Sequence, residues 1–308
     1  MSPIRLAIVG LGKIARDQHL PALAATPGIE LVAVASRNAA LDGVAHFATL
    51  AELLASGEAI DAVALCTPPQ GRRELAEMAL RAGKHVILEK PPGATVSELA
   101  PLVAAAQETG RTLFATWHSR FAPAVEPARA FLAEAAPRAV TITWKEDVRV
   151  WHPGQRWIWE PGGLGVFDPG INALSILTRI LPLPVFVTGA DLAFPANCAS
   201  PIAATLDLAD AGGLAVHADL DFLQTGPQTW DIAVETDRGT LVLSKGGALL
   251  SLDGQPLDLP PEAEYASIYA HFVQLVAEGR SDVDLAPLQL VADAFLLARR
   301  TIVAPFHD

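Results

Sequence analysis

Lys90 is the residue this chain places best for moving a proton. It follows the apolar run His85-Val86-Ile87-Leu88 and is flanked by Glu89 and Pro91. Earlier in the chain the apolar run Ile4 to Val9 leads into Gly10-Leu11-Gly12-Lys13-Ile14-Ala15. A glycine turn between a strand and a helix lets backbone amides approach a pyrophosphate, whose charge a helix N-terminus favours. In that reading Gly10 permits the tight turn, Gly12 the close approach and Ala15 the packing of helix on strand. Lys13 and Ile14, at the helix start, and Thr67-Pro68, at the end of another strand, are expected beside the same dinucleotide. The strand carrying Lys90 delivers its amine to the same sheet edge, within reach of a nicotinamide and a substrate hydroxyl. Glu89 is expected to orient the lysine or the cofactor.

The second strand, Leu31 to Ala35, bears on which dinucleotide is bound. An NAD site usually places a carboxylate there for the ribose 2′-hydroxyl. Here Ser36-Arg37 ends the strand and no carboxylate follows until Asp42. An arginine suits a 2′-phosphate and Ser36 can add a hydrogen bond. The expectation is a preference for NADP, with NAD tolerated.

These residues need elements to hold them. Through about residue 121 strands and helices alternate, with strands at Ile4–Val9, Leu31–Ala35, Asp61–Cys66, His85–Leu88 and Thr112–Ala115. Such alternation predicts an α/β fold: a doubly wound parallel sheet of Rossmann type over 1–121. A helix is expected over Arg72–Arg81, with Leu75, Met78, Ala79 and Ala82 on its inner face and Gly83 closing it. Another helix is expected from Thr95 to Glu108. From 122 to 308 the pattern predicts an α+β domain with an open, mainly antiparallel sheet, whose turns are marked by Asp210-Ala211-Gly212-Gly213, Asp237-Arg238-Gly239, Lys245-Gly246-Gly247 and Asp253-Gly254. A polar, tryptophan-rich loop precedes a helix over Pro169–Leu181. Asp168 can cap that helix, and Asn172, four residues on, shares its face. Helices over Glu264–Glu278 and Pro287–Val303 are expected to close the domain.

Composition narrows the partners. The 308 residues are 51% hydrophobic with a net charge of -12, which disfavours nucleic acid and anionic membrane surfaces. No run of about 18 apolar residues occurs, and Met1-Ser2-Pro3 leads straight into strand pattern. Cys66 and Cys198 are too few for a disulfide framework and lack metal-ligand spacing. A cytoplasmic protein without a metal is expected.

The strand-turn-helix with Glu89-Lys90-Pro91 resembles the glucose-fructose oxidoreductase/inositol dehydrogenase/rhizopine catabolism (Gfo/Idh/MocA) family, over the whole chain. Within it, Gly12 to Pro21, Phe114 to Ser119, Trp144 to Val148 and Trp151 through Asn172 are similar to segments of bacterial L-arabinose/D-galactose 1-dehydrogenases. The resemblance implies oxidation of an aldose at its anomeric carbon, giving the aldonolactone while NAD(P)+ is reduced. It implies catalytic roles for Lys90, Asp168 and Asn172. The broader family often has a histidine base where Asn172 stands, and an amide cannot accept that proton. Proton removal therefore falls to Lys90 and Asp168, either of which could be the final acceptor. The first expectation is Lys90 as acceptor with Asp168 polarising or relaying, while Asn172 anchors or orients a hydroxyl.

Lys90, His118, Glu146, Trp151, His152, Asp168 and Asn172 are expected to bind the sugar. Five of the six tryptophans lie between 117 and 159, and indoles stack on sugar rings, although at least two should serve packing alone. His19 reads as structural. Relatives often pair through the open sheet face, so a homodimer through the apolar strands from Leu214 to Leu252 is expected. An inositol-type dehydrogenase, or a sugar sensor without turnover, would share the fold.

Overall fold

The computed structural model describes residues 2–307, in two compact units. One comprises residues 2–118 with Glu264–Asp284, the other Ser119–Ala263 with residues 285–307.

Among the described residues the first unit holds a parallel six-stranded sheet of β1 (Ile4–Val9), β2 (Ile29–Ala35), β3 (Ala45–Phe47), β4 (Ala62–Leu65), β5 (His85–Leu88) and β6 (Leu113–Ala115), ordered β3-β2-β1-β4-β5-β6. Leu6, Ala7, Ile8, Val63, Ala64, Leu65, Val86 and Ile87 are fully buried, because helices cover both faces and no solvent side remains for polar residues. The strand order reverses between β1 and β4, which pair with Val9 opposite Leu65. In such sheets the ends of those two strands open the crevice where a ligand binds. Gly10 leaves β1 there and Thr67 leaves β4.

Three local expectations change. The helix Arg72–Arg81 buries Arg72, Ala76, Ala79 and Leu80, leaving Met78 39% exposed, so its inner face is turned from the one expected. The buried Arg72 guanidinium lies on that inner face. The next helix runs Leu99–Thr109 rather than from Thr95, because the Glu98 side chain accepts the backbone N–H of Ala94 and Thr95 and holds that stretch as a turn. The helix after Gly12 opens with a widened π-helical turn, Ala15–His19, before its α-helical part, Leu20–Ala25.

The helix Glu264–Glu278 forms as expected but belongs to the first unit. Tyr265, Ile268, Tyr269, Phe272 and Leu275 recur every three or four residues and are all buried. Residues 264–284 thus group with the first unit, where the expected second domain ran unbroken from 122 to 308. The chain changes unit after His118 and returns for residues 264–284.

Among the described residues the second unit holds a nine-stranded sheet: β7 (Pro137–Lys145), β8 (Val185–Pro195), β9 (Ala203–Asp210), β10 (Ala215–Asp221), β11 (Thr229–Thr236), β12 (Gly239–Ser244), β13 (Leu249–Leu252), β14 (Gln255–Pro256) and β15 (Arg299–Val303). Their order is β14-β13-β12-β11-β7-β10-β9-β8-β15. Pairing is antiparallel except at β7–β10 and β8–β15. The last helix, Ala286–Leu297, stops short of the expected Val303. The β-branched run Thr301-Ile302-Val303 instead joins the sheet edge beside β8. Val216, Ala218, Leu220, Ile232, Val234, Leu241 and Leu243, which suggested a pairing surface, fill this unit's own core.

The helix Phe167–Ile180 begins earlier than expected, and Asp168 does not cap it. Val166 is the cap residue, and Asp168 lies buried in the first turn. The amides of Phe167 and Asp168 already bond the carbonyls of Leu164 and Gly165, so no side-chain cap is needed. Gly165 makes that entry possible. Its φ is +55°, and a Cβ there would sit 2.2 Å from the Pro201 carbonyl oxygen.

Candidate active-site residues in each unit

The crevice at β1 and β4 fits a dinucleotide. Gly10 has φ +91°, and a Cβ would lie 3.0 Å from Thr67 Cγ2 and 3.1 Å from Thr67 N. Protein packing therefore explains Gly10. It does not explain Gly12, where a Cβ would meet no atom within 4 Å, so close approach of a ligand is what a side chain there would block. The buried Thr67 Oγ1 has no hydrogen-bond partner, as expected of a hydroxyl awaiting one. Ile14 caps the widened first turn, the Lys13 amine pairs with Asp17, and Pro68 is exposed. At the end of β2 the Ser36 backbone is pinned by its N–H to Phe47 O and its carbonyl to His46 Nε2, both 2.9 Å. Arg37 is exposed there.

Lys90 stands half-buried at the end of β5, and its peptide bond to Pro91 is cis. The groups that hold it are buried. Glu89 Oε2 accepts the Lys90 backbone N–H at 2.9 Å, while Oε1 accepts from His19 Nε2 at 2.9 Å and from the Tyr265 hydroxyl at 3.1 Å. His19 Nδ1 lies 2.6 Å from the Tyr269 hydroxyl. Burial opposes ionisation of Glu89, but the hydrogen bond from His19 and the charges of His19, His118 and Lys90 outweigh it and hold the carboxyl at about 2. Burial likewise opposes the imidazolium of His19. Cys66, Tyr269 and Glu89 together raise its pKa well above the ordinary value. Burial raises the phenols of Tyr265 and Tyr269, which stay protonated as donors or acceptors. His19 is structural in the expected sense, and its structural task is to neutralise Glu89.

Arg72 holds the same segment by its backbone carbonyls. Buried to 2% exposure, its guanidinium donates to the carbonyls of Glu89 and Pro91, on either side of Lys90, and to that of Thr67. One cation thus ties the end of β4 to the segment after β5. Arg72 was missed in the sequence. Its signal was a basic residue in a helix's first turn, where the dipole disfavours it unless something else compensates. His118 is also in this unit. Its Nδ1 lies 2.6 Å from Glu264 Oε2 and its ring stacks on Tyr265 at 5.5 Å. Trp117 is buried and donates its indole N–H to the Asp284 carbonyl, a packing role.

In the second unit Glu146, Trp151, His152, Asp168 and Asn172 form the other group. Glu146 is 1% exposed; Oε1 lies 3.1 Å from His152 Nε2 and Oε2 accepts the Trp230 indole N–H at 2.9 Å. His152 Nδ1 is 3.6 Å from Asp168 Oδ2. Trp151, 39% exposed, sits 4.7 Å from the Trp230 ring, which also stacks on buried Trp144 at 6.1 Å. Trp230 is the sixth tryptophan, outside the expected cluster and within it in space. Asn172 lies half-buried on the face of Asp168, four residues along the helix. The short helical turns Val148–Trp151, begun by the Asp147 side chain on Arg149 N, and Arg156–Trp159 shape what read as a loop.

The chain is similar to known proteins over its whole length. Residues 4–116 match the family model described as an oxidoreductase family with an NAD-binding Rossmann fold. A galactose 1-dehydrogenase from Pseudomonas fluorescens is 50% identical over 308 residues, covering 100% of both chains. The crystal structure of a D-galactose-1-dehydrogenase protein from Rhizobium etli is 58% identical with a TM-score of 0.95, covering 100% of this chain and 99% of that one. A variant 3-ketoreductase from Actinomadura kijaniata, in complex with TDP-benzene and NADP, is alike in fold alone at 21% identity and TM-score 0.84, covering 98% and 100%. Matched end to end by a relative sharing half its residues, and carrying the glycine turn and Glu89-Lys90-Pro91, the chain belongs to the Gfo/Idh/MocA family of oxidoreductases.

Proposed function

We propose that the chain is an aldose 1-dehydrogenase. It oxidises the anomeric carbon of D-galactose, and of L-arabinose, to the aldonolactone, with NADP+ preferred over NAD+. The observation that carries this reading is the full-length match, at 50% identity, to a galactose 1-dehydrogenase. When bound, the dinucleotide supplies the hydride acceptor. The chain supplies the rest. Gly10, Gly12, Lys13, Ile14, Thr67 and Pro68 line the cofactor, and Lys90 accepts the proton of the anomeric hydroxyl. Asp168 polarises or relays, Asn172 anchors a hydroxyl, and Trp151 offers an apolar face to the sugar ring. The two sugars differ by a hydroxymethyl group at C5, and discrimination by one small substituent is modest.

Arg37 and Ser36 carry the cofactor preference. A charged hydrogen bond is worth roughly 1.5–3 kcal/mol, so Arg37→Ala should weaken NADP+ by on the order of 10- to 150-fold and NAD+ little. Binding titrations with both cofactors check this, and equal losses for the two would contradict it. The reaction itself is tested by offering D-galactose, L-arabinose, D-glucose and myo-inositol with NADP+ and following reduced-cofactor absorbance. Aldoses should react. Reaction with the inositol alone points to the related polyol dehydrogenases, and no reaction with any points to a sensor.

The proposal includes a cytoplasmic homodimer paired through the open face of the second sheet, which sedimentation equilibrium can test. Among the described residues no helix is long and apolar enough to cross a membrane.

A further inference from the structure

Glu146 and His152, both expected among the sugar-binding residues, are paired with each other by the fold. Glu146 Oε2 takes the Trp230 N–H, and Oε1 faces His152 Nε2. A buried carboxylate accepting on both oxygens requires Nε2 to carry the hydrogen. The neutral ring then keeps its lone pair on Nδ1. That atom is buried, makes no hydrogen bond, and lies 3.6 Å from Asp168 Oδ2. An N–H there would be drawn against the carboxylate to about 2.8 Å. The wider gap is what two lone pairs facing each other leave. Phe222 flanks the ring, centroids 5.5 Å apart, and limits its swing.

We propose that His152 is a positioning residue for Asp168 that also receives its proton. The inference rests on the oxidation proposed above. In that reaction the C1–H bond breaks, its electron pair leaving with the hydride to the oxidised cofactor. The O1–H bond breaks to release a proton, and C1=O forms. A proton that reaches Asp168 passes from Oδ2 to His152 Nδ1, turning carboxylic acid and neutral imidazole into carboxylate and imidazolium. Glu146 stabilises that imidazolium through Nε2–H. The ring, 15% exposed, then returns the proton to water. Asp168 is thereby restored to its ionised form each cycle. The histidine that relatives often carry at the position of Asn172 is replaced, in this account, by one from a different segment.

His152→Gln is the sharpest test, because an amide can still donate to Glu146 and fill the space but cannot accept a proton. With D-galactose and NADP+, kcat should fall on the order of 100-fold while KM stays within about threefold. His152→Ala should be equally slow and partly rescued by added imidazole. Wild-type kcat in His152→Gln, or a raised KM at unchanged kcat, overturns the inference and leaves His152 a sugar binder. Nitrogen NMR of histidine-labelled wild-type protein reads the ring without turnover. A hydrogen on Nε2 and a bare Nδ1 supports the assignment, whereas hydrogen on Nδ1 overturns it even in an active aldose dehydrogenase. A bare Nδ1 in a protein that oxidises no aldose would sink the proposed function while upholding the ring assignment.

Discussion

Lys90→Met is expected to lower kcat with D-galactose by about 10²- to 10⁴-fold, the usual contribution of a positioned acid-base group. NADP+ binding should change little. Methionine keeps the length and apolar stem of lysine and removes only the amine. The scaffold around position 90 needs no amine to stand, since Glu89 holds the backbone N–H and Arg72 holds the carbonyls on either side. Steady-state kinetics and a cofactor titration separate the outcomes. Near-wild-type turnover with binding intact would remove Lys90 from the chemistry.

Glu89→Ala should have the largest effect on stability. It leaves a buried His19 imidazolium without its counter-charge and the Tyr265 hydroxyl without its acceptor, and breaking a buried pair this way costs about 3–5 kcal/mol. Glu89→Gln keeps the shape and one acceptor, and should cost less. The pH dependence follows from the two shifts. Glu89 is depressed from 4.5 to about 2, so its contribution is present above 4.5 and lost as pH falls toward 2. A shift of that size corresponds to on the order of 3 kcal/mol. His19 is raised well above 6.5, so its contribution is full below 6.5 and lost as pH rises through its folded-state value. Both are complete between about 4.5 and 6.5. Urea unfolding at several pH values should show the wild-type advantage over Glu89→Gln widest in that window and shrinking below it. An advantage constant down to pH 2 would contradict the ion-pair assignment.

The parallel sheet and its glycine turn were legible because the information is local. Continuous apolar runs, Gly10 at a positive φ and Gly83 after its helix each declare themselves within a few residues. What was not legible depends on distant partners. Glu89 meets Tyr265 across 176 residues and His19 meets Tyr269 across 250, through a helix that returns to the first unit after the whole second sheet. Glu146 meets Trp230 across 84 residues, so a tryptophan outside the dense cluster turned out to organise it. Arg72 opens an amphipathic helix, and only its carbonyl partners, up to 19 residues away, distinguish it from a solvated cation. Asp168 followed by Pro169 has the pattern of a helix cap, yet turns formed by Leu164 and Gly165 take over that role and leave the carboxylate buried near His152. The strand Arg299–Val303 was lost to helix because only the edge of β8 tells an apolar β-branched run which it should become.

Oxidation at the anomeric carbon has a direct test. D-galactose carrying deuterium at C1 is incubated with the protein and NADP+, and both products are examined by mass spectrometry and NMR. Oxidation at C1 predicts one deuterium on the reduced nicotinamide and a galactonolactone free of it. Reduced cofactor without deuterium, beside a keto-sugar that keeps its C1 label, would place the oxidation at another carbon and contradict it.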